Sequence, residues 1–309
     1  MSLPASRTEP DRPHHAVWPS RLPRELVVPE TSLWFNLEVS ARRYPNKPAC
    51  LFFGSALTYR DLKAQAEAVA GWLQRHGVAK GDRVLLYLQN CPQFLVAFYA
   101  ILRADAVVVP VNPMNRADEF AHYITDPEAR VAICAADLAP VVMTANAAVP
   151  AAQRLLHVLA VRYADVLPAG AIPEDEKPAP ALLDWLLADP PLPAGCSRWV
   201  DALAAGLRPR EHEARPDDLA VLPYTSGTTG LPKGCMHTHR TLMPNTIAGG
   251  MWGHASAERI GLAVVPMFHV TGMLYGVLSP VYLGMTTVVM PRWDRELAGR
   301  LISRHRVTH

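Results

Sequence analysis

The 309-residue chain is short of several things at once, and each shortage removes a class of function. It has five cysteines, Cys50, Cys91, Cys134, Cys196 and Cys235, none in a Cys-x-x-Cys pair. An odd, dispersed set fits reduced thiols in a cytoplasmic protein better than a disulfide framework or zinc site. Charged residues make up only 19% and the formal net charge is +2. That balance gives no electrostatic case for nucleic acid or an anionic membrane as the main partner. The first 29 residues are rich in proline and hold several charges, with no apolar core of signal-peptide length. There is no Gly-x-Ser-x-Gly elbow, carboxylate dyad or evident catalytic triad. The pairs His237/His239 and His305/His309 lack a third ligand at usable spacing, so neither is assigned a metal. What remains, half of it hydrophobic, is the composition of a folded globular enzyme.

One local absence needs its own reading. Residues 260–290 contain no Asp, Glu, Lys or Arg, a length compatible with a membrane span. Pro266, Pro280 and the glycines at 261, 272, 276 and 284 punctuate the segment into strand, helix and strand. Burial in a sheet covered on both faces accounts for the missing charges. No transmembrane segment is expected, while peripheral membrane contact stays open.

The most informative stretch is Tyr224-Thr225-Ser226-Gly227-Thr228-Thr229-Gly230-Leu231-Pro232-Lys233-Gly234. Three glycines let backbone N–H groups approach an anion closely. Four hydroxyls can donate to phosphate oxygens, and Lys233 adds a point charge. Residues 218–224 read as a buried strand, and Leu242, Ile247 and Met251 predict a helix after the loop. Strand, glycine-rich loop and helix together are a nucleotide-binding setting. The Walker pattern does not fit, because Pro232 and Gly234 stand where its second glycine and its Mg²⁺-binding hydroxyl belong.

Upstream, the periodicity predicts a helix over 58–76 with Thr58 as N-cap, Asp61 as its capping partner and Gly77 as terminator. Strands are predicted over 82–88, 106–111, 130–134 and 155–161, with helices over 92–103 and 117–124. This alternation implies right-handed crossovers and a largely parallel sheet with helices on both faces. Ligands of such folds sit beyond the carboxyl ends of the strands. A Pro-rich stretch over 165–198 is expected to be a surface excursion with a short helix near 182–187.

Several of these segments carry a resemblance. Thr225–Gly234, with His237 and His239 after it, resembles the signature loop of the adenylate-forming enzymes: acyl-CoA synthetases, adenylation domains and luciferases. Pro266-Met267-Phe268-His269-Val270-Thr271-Gly272 is similar to their Pro-x-Phe-His-x-x-Gly element. Leu57-Thr58-Tyr59-Arg60-Asp61-Leu62 resembles their Leu-Thr-Tyr-x-Glu-Leu helix start, with Asp for Glu. Gly81–Val84 and Val109–Pro113 match as well, and the resemblance runs from about Thr31 to His309.

The resemblance implies an α/β fold, the N-terminal domain of the adenylate-forming enzymes, with largely parallel sheets flanked by helices and incomplete at the C-terminus. The expected organisation is an extended arm over 1–30, a first α/β subdomain over 31–215, and the start of a second over 216–309. The family's C-terminal domain with its catalytic lysine is missing, so no catalytic residue is assigned and the chain alone is expected to be inactive. The implied nucleotide-binding residues are Thr225, Ser226, Gly227, Thr228, Thr229, Gly230 and Lys233. His269 would line the acyl pocket, and Gly272 would leave room for the acyl chain. ATP, Mg²⁺ and coenzyme A are implied, with a carboxylic acid activated as acyl-AMP and passed to the thiol. Met267, Phe268, Val270, Met273 and Leu274 favour a medium- or long-chain fatty acid, with aryl-CoA ligation or carrier-protein loading as alternatives. A different class, a non-catalytic nucleotide-binding or interaction module, is also compatible with the sequence.

Overall fold

The computed structural model describes residues 12–225 and 230–309. Helix α1 (Leu33–Arg43) is followed by a hairpin, β1 (Pro48–Phe52) and β2 (Ser55–Thr58), and by helix α2 (Tyr59–Arg75). Thr58 caps α2 as the sequence predicts: its Oγ1 accepts from the Asp61 N–H at 3.2 Å. Gly77, at φ +87°, takes the chain out of the helix. There follow β3 (Arg83–Tyr87), α3 (Pro92–Arg103), β4 (Val107–Pro110), α4 (Ala117–Thr125), β5 (Val131–Ala135), α5 (Ala139–Ala148) and β6 (His157–Val161). A short α6 (Pro180–Leu187), β7 (Cys196–Arg198) and α7 (Trp199–Ala204) complete this stretch. The remainder holds β8 (Leu219–Val221), β9 (Tyr224–Thr225), β10 (Lys233–Gly234), β11 (His237–Thr238) and α8 (His239–Trp252). After β12 (Ile260–Ala263), helix α9 (Val270–Met273) continues through a π-helical turn (Leu274–Leu278) into α10 (Ser279–Leu283). Strand β13 (Thr286–Val289) and helix α11 (Arg295–His305) end the succession. The uncharged 260–290 segment is therefore strand, helix and strand, and no helix among the described residues is long and apolar enough to cross a membrane.

Two sheets organise the chain. The larger has the order β11-β8-β4-β3-β5-β6-β7 and is parallel except for β11. The smaller has the order β12-β13-β1-β2 and is parallel except for β2. Alternation along β3 shows how the larger sheet is covered. Val84 and Leu86 face the core shared with α2 and α3, while Leu85 and Tyr87 face a second core under α4 and α5. Helix α3 is buried at every position from 92 to 102. It packs against β1 of one sheet and β3 and β4 of the other, so it lies between them. The expected division at residue 215 does not run between the sheets, because β1 pairs with β13 and β4 pairs with β8. After α11, Thr308 N–H donates to the Ile260 carbonyl at 2.8 Å and Leu262 N–H to the His309 carbonyl at 3.0 Å, along the free edge of β12.

The Pro-rich excursion is more than surface. Its Glu176 is buried, accepting from the Gly54 N–H at 2.8 Å and from Arg304 Nε at 2.6 Å, with His305 Nε2 3.3 Å away. One carboxylate thus joins the β1–β2 turn to the last turn of α11. Glu176→Gln should lower the unfolding free energy by about 2 kcal/mol, because charge-assisted hydrogen bonds to a buried group are lost while the shape is kept. Urea denaturation checks this; an unchanged midpoint would show that the clamp carries no stability.

A second junction lies at the amino ends of the strands. Ser32 is the N-cap of α1, yet its hydroxyl turns to His212 Nε2 at 2.7 Å, and His212 Nδ1 lies 2.6 Å from Asp105 Oδ1. The order Ser–His–Asp is that of a hydrolase, but both Ser32 and the Asp105 carboxylate are buried in packing and line neither cleft described below. It is a clasp. Burial pushes the Asp105 carboxyl up, but hydrogen bonding and charge from His212, with the N–H groups of Glu213 and Ala214, more than offset it and leave it lowered.

The orphan Leu33 N–H at the start of α1 is taken by His239 Nδ1 at 3.0 Å. Burial, reinforced by nearby His212, lowers the His239 pKa from 6.5 to about 4. The unfolded chain therefore takes up the proton first. Stability is unaffected by this group above pH 6.5 and falls as the pH drops from there to about 4. At about 1.4 kcal/mol per pH unit the loss sums to ~3 kcal/mol. His239→Asn keeps an acceptor and removes the titration. Denaturation across this interval should give a visibly flatter pH dependence for the variant, and parallel curves would refute the assignment.

Candidate nucleotide and acid site

The strand leading into the loop is interrupted. Leu222 N–H still bonds the Val108 carbonyl at 2.8 Å, but Pro223 has no N–H to give the ladder, and β9 begins a separate hairpin. Beyond the loop the chain returns antiparallel as β10, with Lys233 opposite Thr225 and Gly234 opposite Tyr224. The loop thus closes a hairpin, and β10 and β11 separate it from α8. This corrects the expected strand–loop–helix order. Gly234 lies against Leu222, where a Cβ would come within 2.9 Å of its Cγ, so the returning strand packs there only as glycine.

Helix α4 holds this hairpin from outside. His122 Nε2 lies 2.8 Å from the Pro232 carbonyl, Tyr123 packs its ring 4.6 Å from that of Tyr224, and the Tyr224 hydroxyl donates to Asp126. Burial and the adjacent Asp126 carboxylate push the Tyr224 phenol well up, so it remains a donor.

A cleft of about 800 Å³ opens beyond the carboxyl ends of β4 and β8. Thr225, Leu231 and Pro232 line it from the hairpin, Asn112, Glu119 and His122 from the β4–α4 side, and Phe268, His269 and Val270 from the start of α9. His269 is the N-cap of α9, its Nδ1 accepting from the Thr271 N–H at 3.4 Å. With Nδ1 accepting, the neutral ring carries its proton on Nε2, which is then the donor left for a ligand. Glu119 is committed to the α4 terminus, accepting from the Arg116 N–H at 2.8 Å.

A second cleft, of about 370 Å³, lies beyond β3 and β5 and shares Asn115 with the first. The chain passes from β3 to β4 on one side and then to β5 on the other, so this cleft sits at the sheet's topological switch point. Its walls carry Arg116, Tyr163 and Trp185, with the Arg292 guanidinium 4.2 Å from the Trp185 ring.

Of the residues expected from sequence, Thr225 and His269 meet across the first cleft. Lys233 stands on the same face of the β9–β10 ladder as Thr225, exposed and with no ion pair among the described residues. Gly230, at φ +156°, has open space around it. Ser226, Gly227, Thr228 and Thr229 lie outside the described residues. Gly272 does not line the cleft: a Cβ there would fall 2.0 Å from the Pro266 carbonyl oxygen, so the glycine admits that backbone rather than a ligand. Sequence reading missed His122, Tyr123 and Asp126, which recur at helical spacing on α4 but carry no motif. It also set His237 aside, which lines the cleft, as does exposed Cys235.

Comparison with known proteins gives the family. The profile of the AMP-binding enzyme family matches residues 37–309. A long-chain-fatty-acid–CoA ligase of Bacillus subtilis (strain 168) is 32% identical over 305 residues, covering 96% of this chain and 53% of its own length. The 4-coumarate–CoA ligase 3 of Oryza sativa subsp. japonica is 29% identical over 260 residues, covering 82% of this chain and 41% of its own. The inhibitor-bound N-terminal domain of FACL13 from Mycobacterium tuberculosis superposes with a TM-score of 0.70 at 26% identity, covering 89% of this chain and 61% of that one. The chain spans about half the length of the curated relatives it matches. It belongs to the AMP-binding enzyme family.

Proposed function

We propose that this chain supplies the nucleotide and acid site of an acid–CoA ligase. The observation that carries the reading is the convergence of the glycine-rich hairpin and His269 on one cleft. MgATP is the first substrate, and its β- and γ-phosphates would meet Thr225, the hairpin backbone and Lys233. An acid carboxylate held by the Nε2–H of His269 attacks the α-phosphorus, pyrophosphate leaves, and an acyl-adenylate forms. Lys233 offsets charge growing on the leaving group, and the hairpin fixes its position before reaction. The thiol of coenzyme A then attacks the acyl carbon, and AMP departs with the bonding electrons. The second cleft, with two guanidiniums and two aromatic rings, suits the charged nucleotide end of coenzyme A, and it adjoins the first at Asn115.

Phe268 and Val270 beside His269 support an apolar acid, a medium- or long-chain fatty acid first. An aryl acid is the second reading, favoured by the 4-coumarate–CoA ligases among the relatives. Carboxylate-dependent ATP–pyrophosphate exchange, over fatty and aryl acids, tests both. Exchange should peak with one acid class. Lys233→Ala should weaken MgATP binding tenfold or more, as expected for loss of a charged contact of about 1.5–3 kcal/mol. No exchange with any acid, with MgATP still bound, would leave a binding module instead.

A further inference from the structure

We propose that the pocket between helix α1 and the end of α10 is a binding site for a small aryl monocarboxylate with a hydroxyl at the end opposite its carboxylate. The pocket holds about 310 Å³ and shares no lining residue with either cleft. That volume lies at the small end of the range for ligand sites. Phe35, Asn36, Val39 and Arg43 line it from one stripe of α1. Tyr282 and Leu283 line it from the end of α10, and Thr31 from the arm. These three segments are tied in place. Ser40 Oγ donates to the Val281 carbonyl at 2.5 Å and joins α1 to α10. Leu283 is seated against Gly250 of α8, where a Cβ would fall 2.7 Å from its Cδ1. The arm is held by Glu30, which pairs with Arg240 at 2.7 Å.

The polar groups of this lining are unspent. Asn36 is only 5% exposed, yet its amide nitrogen donates to nothing better than Met243 Sδ at 3.6 Å, and its amide oxygen has no partner among the described residues. The Thr31 hydroxyl is buried and likewise unpartnered. Buried polar groups left unpaired are costly, and a ligand hydroxyl, donor and acceptor at once, serves both. Two turns further along α1, about 10 Å away, Arg43 stands exposed at the rim with no ion pair among the described residues. The one carboxylate of α1, Glu38, is taken by Arg42 at 3.0 Å, and the lining itself contains no acid. The pocket thus has a hydrogen-bonding end, an apolar middle and a cationic end. Its middle is made by Phe35, which is 42% exposed, with Val39 and the Tyr282 ring, surfaces on which a flat ring packs well. An inorganic anion would use Arg43 alone, and a plain fatty acid would leave Asn36 and Thr31 unpaired. A nucleotide would bring several negative charges to a single guanidinium. An aryl acid with a distal hydroxyl uses all three parts.

The test needs no turnover and does not rest on the acid–CoA ligase reading. Isothermal titration of the chain compares para-hydroxyphenylpropionate with phenylpropionate, which lacks the hydroxyl, and para-ethylphenol, which lacks the carboxylate. The first should bind most tightly. Arg43→Ala, at an exposed position where the fold is retained, should weaken it about tenfold, as expected for a charge-assisted contact, and leave para-ethylphenol unchanged. Asn36→Leu, close to the native shape, should weaken it about fivefold and leave phenylpropionate unchanged. In His269→Ala, altered in the first cleft, a site of the same affinity should persist. No heat with any of the three compounds overturns the proposal, and so does an affinity that Arg43→Ala does not move. Loss of all binding in His269→Ala overturns it too, because the acid would then belong to the first cleft, with the ligase reading intact.

Discussion

Helix α3 has no face to offer water. Buried from 92 to 102, it can exist only with a sheet on either side, and each fully buried Leu or Phe contributes roughly 1.5–3 kcal/mol. That requirement reaches far along the chain. The smaller sheet must close over one side of α3, so the β1–β2 hairpin waits for β13, more than two hundred residues later. On the other side the chain crosses from β4 over β3 to β5, and the crossing element is α4. The helix that steadies the glycine-rich hairpin is therefore where it is because of how the core closes. Packing and site geometry are one constraint here.

A hairpin differs from a helix terminus as a place to receive an anion. A helix end supplies aligned N–H groups and a partial positive charge without further support. A two-stranded hairpin is marginal by itself, and β9–β10 has only two paired residues on each side. Its order must come from outside. His122 at the Pro232 carbonyl, just before β10, and Asp126 at the Tyr224 hydroxyl, on β9, provide two anchors, one on each arm of the hairpin. Between them Lys233 stays exposed, so its charge remains available to a ligand. The contacts that look structural are what give the loop a position to bind from.

Much of this was legible in the sequence, for reasons that can be named. The helix over Pro92–Arg103 begins at a proline and carries an unbroken apolar run, and the strands are apolar and β-branched between turn residues, so local rules and global packing agree. The glycine-rich loop stands out in the sequence because glycines, hydroxyls and a lysine in that order have few other uses. Other features depend on contacts between distant segments, which no local pattern encodes. Glu176 reads as a solvated acid in a Pro-rich stretch, yet Arg304 draws it inside. Gly272 reads as room for a ligand, yet the space is claimed by the Pro266 carbonyl. The hairpin itself was hidden because two-residue strands leave no periodicity to read.

His237 and His239 show the same limit at its sharpest. Two residues apart on a continuous strand, they would share a face, and as a pair they invite a metal reading. The strand ends at Thr238, whose Oγ1 accepts from the Thr241 N–H at 3.2 Å and starts α8. The cap turns the backbone between them. His237 is left beside the cleft, while His239 is carried under α1, loses its water and gives Nδ1 to the Leu33 N–H. Desolvation then makes protonation of His239 costly, so it serves best as a neutral acceptor, and only His237 is placed to meet a ligand. A single helix cap, rather than residue type or spacing, decides which histidine belongs to the site and which belongs to the fold.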